Sequence, residues 1–113
     1  MSSLSVSDGP GMQWAVFPVD RNDIWTNWSH EIPADHWFHV AVVNDGRTST
    51  MYIESSPVLR NPSTPSNGIS TIGAPWMLGA YHYANVIEQG FYGWVGDVRI
   101  ADRPLPVAAF MNA

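Results

Sequence analysis

Hydrophobic and polar positions define a hairpin along residues 36–54, where two β-rich runs flank Asp45-Gly46. An Asp-Gly pair between apolar runs is a strong hairpin signal, because glycine adopts positive φ without steric cost. The first arm, 36–43, is apolar on both faces, which is typical of a strand that is covered on both sides. The second arm, 48–54, alternates, and one of its faces carries Ser49, Met51 and Ile53. The pattern predicts a central hairpin of a β-sandwich.

Weaker signals of the same kind run along the rest of the chain. A lead-in rich in Ser, Gly and Pro is expected at residues 1–11, and a single β-sandwich domain at residues 12–113. Further strands are predicted at 12–17, 24–30, 76–83 and 91–101, short strand pieces at 58–59 and 69–72, and a loop at 84–90. Pro106 is well placed near the start of a short helix predicted over 104–111. These elements make about six or seven strands and an all-β fold.

Composition and charge exclude several classes of function. The 113 residues carry ten acidic side chains and five arginines, a net charge of −5, and no lysine or cysteine. An acidic chain without a basic run argues against binding to nucleic acid or to an anionic membrane surface. No apolar run is long enough to span a membrane, and no disulfide or thiolate chemistry is available. The N-terminus lacks the features of a signal peptide, so the chain as written is expected in the cytoplasm or as a piece of a larger protein.

Three stretches carry a resemblance to a known family: WFHVAVV at 37–43, TMYIE at 50–54 and FYGWVGDVRI at 91–100. In this order they resemble the middle hairpin and the closing strand of laminin-G-like, or concanavalin A-like, jelly-roll domains. The similarity is greatest to the C-terminal half of such domains attached to bacterial metallophosphoesterases, and it covers about residues 12–112. It implies a concanavalin A-like jelly-roll β-sandwich with a short C-terminal helix.

The resemblance begins partway through the family's domain, which implies a truncated sandwich. Jelly rolls have at least eight strands, and a sandwich with fewer exposes unpaired edges and an apolar face. The sequence therefore predicts a homodimer, or completion by a missing segment of a larger chain. Within the predicted closing strand, Trp94 and Val98 share a face with Tyr92 and Ile100, and Trp94 is expected to support the core.

The resemblance also implies a candidate metal ligand, Asp97, at a position where family members often hold a structural Ca²⁺. Calcium requires six to eight oxygen ligands, and the alternative, which we favour, is that Asp97 pairs with Arg99 or caps a turn. His36 and His39 lie three residues apart in a predicted strand and point to opposite faces, so they cannot share a metal. We expect His39 to be a buried, hydrogen-bonded imidazole.

Catalytic patterns are absent from the sequence. Glucanases of this fold carry Glu-x-Asp-x-x-Glu along one strand, and neither this pattern nor a Gly-x-Ser-x-Gly elbow occurs. The chain is therefore expected not to be an enzyme.

Aromatic residues suggest a different role, because their faces pack on the apolar faces of sugars. The candidates for ligand binding are Trp25, Trp28, Trp76, Tyr81 and Tyr83. In the alternative that we favour for these side chains, they fill the core or a dimer interface. The sequence accordingly predicts a non-catalytic binding or accessory module, with a glycan as the ligand class that the resemblance implies. The alternative is a structural or oligomerisation domain with no small ligand.

Overall fold

The strands that the structure describes lie in three antiparallel sheets. The computed structural model describes residues 2–6, 11–16, 25–32, 34–58, 75–83 and 85–111. In the first sheet the strands are β1 (Ser2–Val6), β2 (Gly11–Val16) and β3 (Trp25–Glu31). In the second they are β4 (Val40–Asn44), β5 (Ser49–Ile53) and β6 (Ser56–Pro57). In the third they are β7 (Tyr81–Tyr83) and β8 (Val86–Glu88). The predicted all-β fold is confirmed, and the C-terminal helix is a single 3-10 turn at Val107–Ala109.

The first sheet contains the two predicted strands, β2 and β3, and a third that the sequence did not predict. Residues 2–6, expected to belong to a lead-in without regular structure, form β1 and pair antiparallel with β2. The alternating Ser-Leu-Ser-Val pattern of this segment suits a strand, but its high serine content favoured a loop. A bulge between Gly11 and Gln13 interrupts the pairing of β2 with β3. There the Met12 amide donates to Ser29 Oγ at 2.7 Å, and the Met12 side chain is buried.

The predicted hairpin is confirmed in β4 and β5, which pair from Val40–Ile53 to Asn44–Ser49. The predicted alternation of β5 holds for its inner face, where Ser49 is buried and Met51 is only 1% exposed. Strand β4 is half-buried at every position, so its two apolar faces are partly covered. A tight turn at Glu54 and Ser55, both with positive φ as a type I′ turn requires, leads into β6.

The third sheet differs from the sequence prediction in both of its strands. The strand predicted at 76–83 is confined to β7, and β8 forms inside the segment predicted as the loop 84–90. Asn85, at the turn between them, has a φ of 65°. Asparagine tolerates this left-handed conformation, and it allows the chain to reverse within two residues.

The closing strand predicted at 91–101 does not form, and every residue of the segment is exposed. Trp94, expected in the core, is 86% exposed, so that prediction is wrong. A strand needs a neighbour to accept and donate its backbone hydrogen bonds. Among the described residues, this segment makes one backbone hydrogen bond, from the Phe91 amide to the Gly79 carbonyl at 2.8 Å.

Two further sequence expectations concern the remainder of the chain. The Val58 amide donates to the Met51 carbonyl at 2.9 Å, while Leu59 and the strand piece predicted at 69–72 lie outside the described residues. The single domain at 12–113 stays a prediction. Within the described part of the chain, no helix has the length and apolar character needed to cross a membrane.

Candidate functional site

The five aromatic residues predicted to bind ligand are divided among separate elements. Trp25 and Trp28 belong to β3, where their backbones pair with Val16 and Gln13. Tyr81 and Tyr83 belong to β7, and the Tyr81 side chain is half-buried. The side chains of Trp25, Trp28 and Tyr83 lie outside what the structure describes. Trp76 precedes β7 and is 74% exposed. The structure therefore places these residues on two sheets and one connecting segment.

A different group of aromatic side chains is exposed near the C-terminal part of the chain. Trp37 is 63% exposed, Tyr92 is 101% exposed, and Trp94 also extends into solvent. Phe91, at the start of the same segment, is partly exposed. We call these four residues the aromatic surface. Exposed apolar surface of this kind often marks a binding site on a monomeric protein.

Two glycines allow aromatic rings to lie against the backbone of this segment. A methyl group at Gly96 would stand 3.4 Å from Cζ3 of Trp37, so the indole of Trp37 lies over this glycine. A methyl group at Gly93 would stand 2.7 Å from Cε1 of Phe91, closer than a real contact allows. Trp37 reaches the segment from the residues before β4, and Trp94 lies two positions from Gly96. The Trp37 contact with Gly96 thus connects the aromatic surface to the central hairpin.

The 3-10 turn after the segment is held against the hairpin by ring contacts. The Phe110 ring meets Tyr52 edge-on at a centroid distance of 5.2 Å and lies 6.0 Å from the His39 imidazole. Arg99 donates from Nη1 to the Ala109 carbonyl at 3.4 Å, which ties the exposed segment to the same turn. These contacts hold the 3-10 turn against the central hairpin and the exposed segment against the 3-10 turn.

His39 differs from the expected hydrogen-bonded core histidine. Its backbone is well satisfied, since its amide donates to Glu54 Oε1 at 2.7 Å and its carbonyl accepts from the Glu54 amide at 3.0 Å. Its imidazole is half-buried, and Nδ1 is enclosed without a hydrogen-bond partner among the described residues. The ring therefore acts mainly through its packing on Phe110.

Asp97, the candidate calcium ligand, lies in the exposed segment. Across the described residues, no three His, Asp or Glu side chains come together in a way that could hold a metal ion. Calcium also takes backbone and amide oxygens among its six to eight ligands, so calcium binding at Asp97 stays a prediction. The nearby Asp102–Arg103 pair, at 3.2 Å, is highly exposed and contributes little to stability.

The turn of the central hairpin carries a carboxyl group with a shifted pKa, that of Asp45. Asp45 Oδ1 accepts hydrogen bonds from the amides of Thr48 and Arg47, both at 2.8 Å. These bonds, first Thr48 and then Arg47, lower the pKa of the Asp45 carboxyl because they stabilise its ionised form. Asp45 is fully exposed at the loop end of the hairpin, where these hydrogen bonds hold the turn.

Sequence analysis missed the aromatic surface because the family motif assigned Trp37 and Trp94 to paired strands. The alternation of aromatic residues with Gly93 and Gly96 was the available signal, since a glycine beside an aromatic residue permits close approach of a ring to the backbone. Chemically, the surface offers flat apolar faces bordered by backbone groups. It can bind a ligand through stacking and hydrogen bonds.

Comparison with known proteins agrees with this fold. A search of curated proteins found no match. One similar solved structure is the 2.1 Å crystal structure of an S-layer domain-containing protein, residues 221–444, from Clostridium thermocellum. It is 22% identical with a TM-score of 0.53, and the match covers 95% of this chain but only 52% of that one. The chain thus spans about half of that structure, and at this identity the likeness shows the fold alone.

A family model matches nearly the whole chain, over residues 3–109. Its domains are usually non-catalytic binding modules, and the match fits a binding or accessory module. The hairpin and the FYGWVGDVRI motif, which carried the resemblance, lie within the match. The chain belongs to the laminin-G-like family described as the concanavalin A-like lectin/glucanases superfamily.

Proposed function

We propose that this chain is a non-catalytic carbohydrate-binding module that recognises neutral glycans through its aromatic surface. The observation that carries the proposal is the exposure of Trp37, Tyr92 and Trp94, with Trp37 lying against Gly96 of the segment that holds the other two. Aromatic faces bury the apolar C–H faces of a sugar ring, while nearby polar groups bond its hydroxyls. Family membership supports the same ligand class, since the family is named for lectins and glucanases.

The charge of the chain narrows the ligand to uncharged sugars. The net charge is −5, and only five arginines are available. One of them, Arg103, already faces Asp102 at 3.2 Å. An acidic protein repels sulfated and uronic-acid glycans at physiological ionic strength. Polymers of neutral hexoses carry no charge, so an acidic protein does not repel them.

The role is proposed to be binding alone. Glycosidases use two carboxyl groups on opposite sides of the scissile bond. Among the described acidic residues, the nearest in sequence to members of the aromatic surface are Asp35, Glu88 and Asp97. The chain has no Glu-x-Asp-x-x-Glu pattern such as the glucanases of this fold carry, so no pair of carboxyl groups is proposed to hydrolyse the ligand.

A glycan array probed with the labelled chain tests the proposal, followed by tryptophan-fluorescence titration of the best neutral oligosaccharide. Trp94→Ala should weaken binding by about tenfold, because an aromatic contact contributes roughly 0.5–1.5 kcal/mol beyond its buried area. Trp76→Ala is the matched control, since Trp76 is equally exposed but lies outside the aromatic surface.

Each outcome has a distinct meaning. Loss of binding in Trp76→Ala but not in Trp94→Ala would move the site to the residues predicted from sequence, around Trp76 and β7. An array on which no glycan is retained would overturn the carbohydrate proposal. In that case the second candidate, an oligomerisation domain without a small ligand, gains support from the apolar residues of the exposed segment.

A further inference from the structure

The segment 91–101 has the composition of a strand but no strand beside it. Its exposed apolar side chains include Val98 and Ile100, which are 53% and 66% exposed, in addition to Tyr92 and Trp94. Sugar stacking explains exposed aromatic rings but gives no role to exposed β-branched residues. Residues 92–101 also leave their backbone donors and acceptors without a sheet partner in the described part of the chain. Such an edge is a template for pairing with another polypeptide.

We propose that residues 91–101 of two copies of this chain pair antiparallel about Val98 and form a symmetric dimer. In an antiparallel pair with a two-fold axis at Val98, this residue faces its own copy. Asp97 of each copy then lies directly opposite Arg99 of the other. Opposite charges in directly facing positions stabilise an antiparallel pair, and here the symmetry makes the pair occur twice.

The same register also suits the apolar residues of the segment. Ile100 lies opposite Gly96, so its apolar side chain comes beside the Trp37 indole that lies over this glycine. The segment ends before Pro104, which cannot donate to a ladder and therefore limits the length of the pairing. Moving the two-fold axis by one residue, to Asp97 or to Arg99, would separate Asp97 from Arg99. It would also place one of these charged side chains opposite its own copy.

A second copy fits this edge better than an unrelated strand. With a net charge of −5, two copies repel each other in general, so association needs a locally complementary contact. Asp97 and Arg99 provide it, because they lie on the same face two positions apart and complement themselves under two-fold symmetry. Arg99 remains available, since its hydrogen bond to Ala109 is long, at 3.4 Å, and involves one nitrogen. The inference does not depend on carbohydrate binding.

Charge reversal tests the register by light scattering and sedimentation at micromolar concentrations. The unmodified chain should have twice the monomer mass of 12.5 kDa. Asp97→Arg and Arg99→Asp, made singly, should each weaken dimerisation by roughly tenfold or more, because two attractive pairs become two repulsive ones. The double variant restores both pairs and should dimerise again. Arg47→Asp, which makes the same change of charge in the exposed hairpin turn, should leave the dimer intact.

A cysteine experiment provides a second, independent test, because the chain contains no cysteine. Val98→Cys should form a disulfide-linked dimer under mild oxidation, since facing residues of an antiparallel pair lie within disulfide distance. Val95→Cys is the matched control, because the register places its two copies on the order of 20 Å apart. A monomer at all concentrations, a dimer that single charge reversals leave unchanged, or equal cross-linking at both positions would overturn the proposal. Glycan titration of the same variants reports on the carbohydrate proposal separately.

Discussion

The central hairpin and the segment 91–101 have equally β-rich sequences but opposite environments. In the hairpin, β4 and β5 pair along their whole length and enclose Met51. In the segment, a comparable run of valine, isoleucine and aromatic residues is exposed throughout. The hairpin has its partner four residues away across a turn. The segment has no pairing strand close to it in sequence. Its apolar pattern indicates a preference for strand pairing, which only a distant part of the chain or a second chain can satisfy.

The largest expected difference between the two regions is in their contribution to stability. Met51→Ala should reduce the free energy of unfolding by about 2–5 kcal/mol, the usual loss for a buried methionine. Trp94→Ala removes a larger side chain but should change it by no more than about 0.5 kcal/mol, since Trp94 is exposed. Urea unfolding at submicromolar concentration, with the mass checked by sedimentation so that only monomer is compared, measures both. Met51→Leu is the control for volume, with an expected loss below about 1.5 kcal/mol.

A larger loss of stability in Trp94→Ala than in Met51→Ala would contradict this comparison. A loss of several kcal/mol in Trp94→Ala would show that the segment packs into the core of the monomer. A negligible loss in Met51→Ala would show that the hairpin contributes little to the stability of the fold.

A smaller loss of stability is expected from a substitution in the turn that brings β4 and β5 together. Gly46 has a φ of 86°, a conformation that costs other residues about 1–2 kcal/mol. Gly46→Ala should therefore destabilise the chain by roughly that amount in urea unfolding. Gly90→Ala is the matched control: this glycine is free of positive φ, and a methyl group there meets nothing within 4 Å. Equal effects at the two glycines would mean that the turn geometry does not stabilise the hairpin.

The contribution of Asp45 to stability should be smaller still, and it should depend on pH. The pKa of Asp45 is lowered by the Thr48 and Arg47 amides, so its stabilisation is present above the unfolded value of about 3.9 and is lost as the pH falls through the lower folded value. The melting temperature of the wild type should exceed that of Asp45→Ala at pH 6, and the gap should narrow toward pH 2. Asp45→Asn keeps an acceptor oxygen but does not titrate, so its melting temperature should exceed that of Asp45→Ala by an amount that does not change with pH, and its own gap from the wild type should also narrow toward pH 2. A gap that widens on acidification would contradict the assigned hydrogen bonds.

Local signals allowed the sequence to predict the hairpin and the strands β2 and β3. Asp45-Gly46 defines its own turn, and the pattern of β5 defines the buried face that holds Ser49 and Met51. Strand β8 was missed because three residues are too few to show a period, and its turn depends on the positive φ of Asn85. The turn and the buried face of the hairpin are therefore determined by residues that lie close together in the sequence.

Non-local pairing could not be predicted in this way. The pattern of residues 91–101 gives the preference for a strand correctly, but whether a strand forms depends on a partner that the pattern does not specify. The aromatic surface was missed for the same reason. Trp37 and Trp94 were assigned to paired strands, and their exposure follows from the absence of strand pairing along 91–101 in the described structure.

The smallest expected effect concerns calcium at Asp97. A metal that binds only the folded state raises the melting temperature, and does so further as its free concentration rises above Kd. Since no three acidic or histidine side chains meet in the described residues, we expect identical melting curves in chelator and in millimolar calcium. Asp97→Asn should then be neutral in the monomer, and its effect should appear only in the dimer, where it removes the partner of Arg99. A rise in melting temperature with calcium that Asp97→Asn abolishes would establish the metal site that the family resemblance implies. It would also show that Asp97 is already engaged within one chain, which would leave the dimer register without its charge pair.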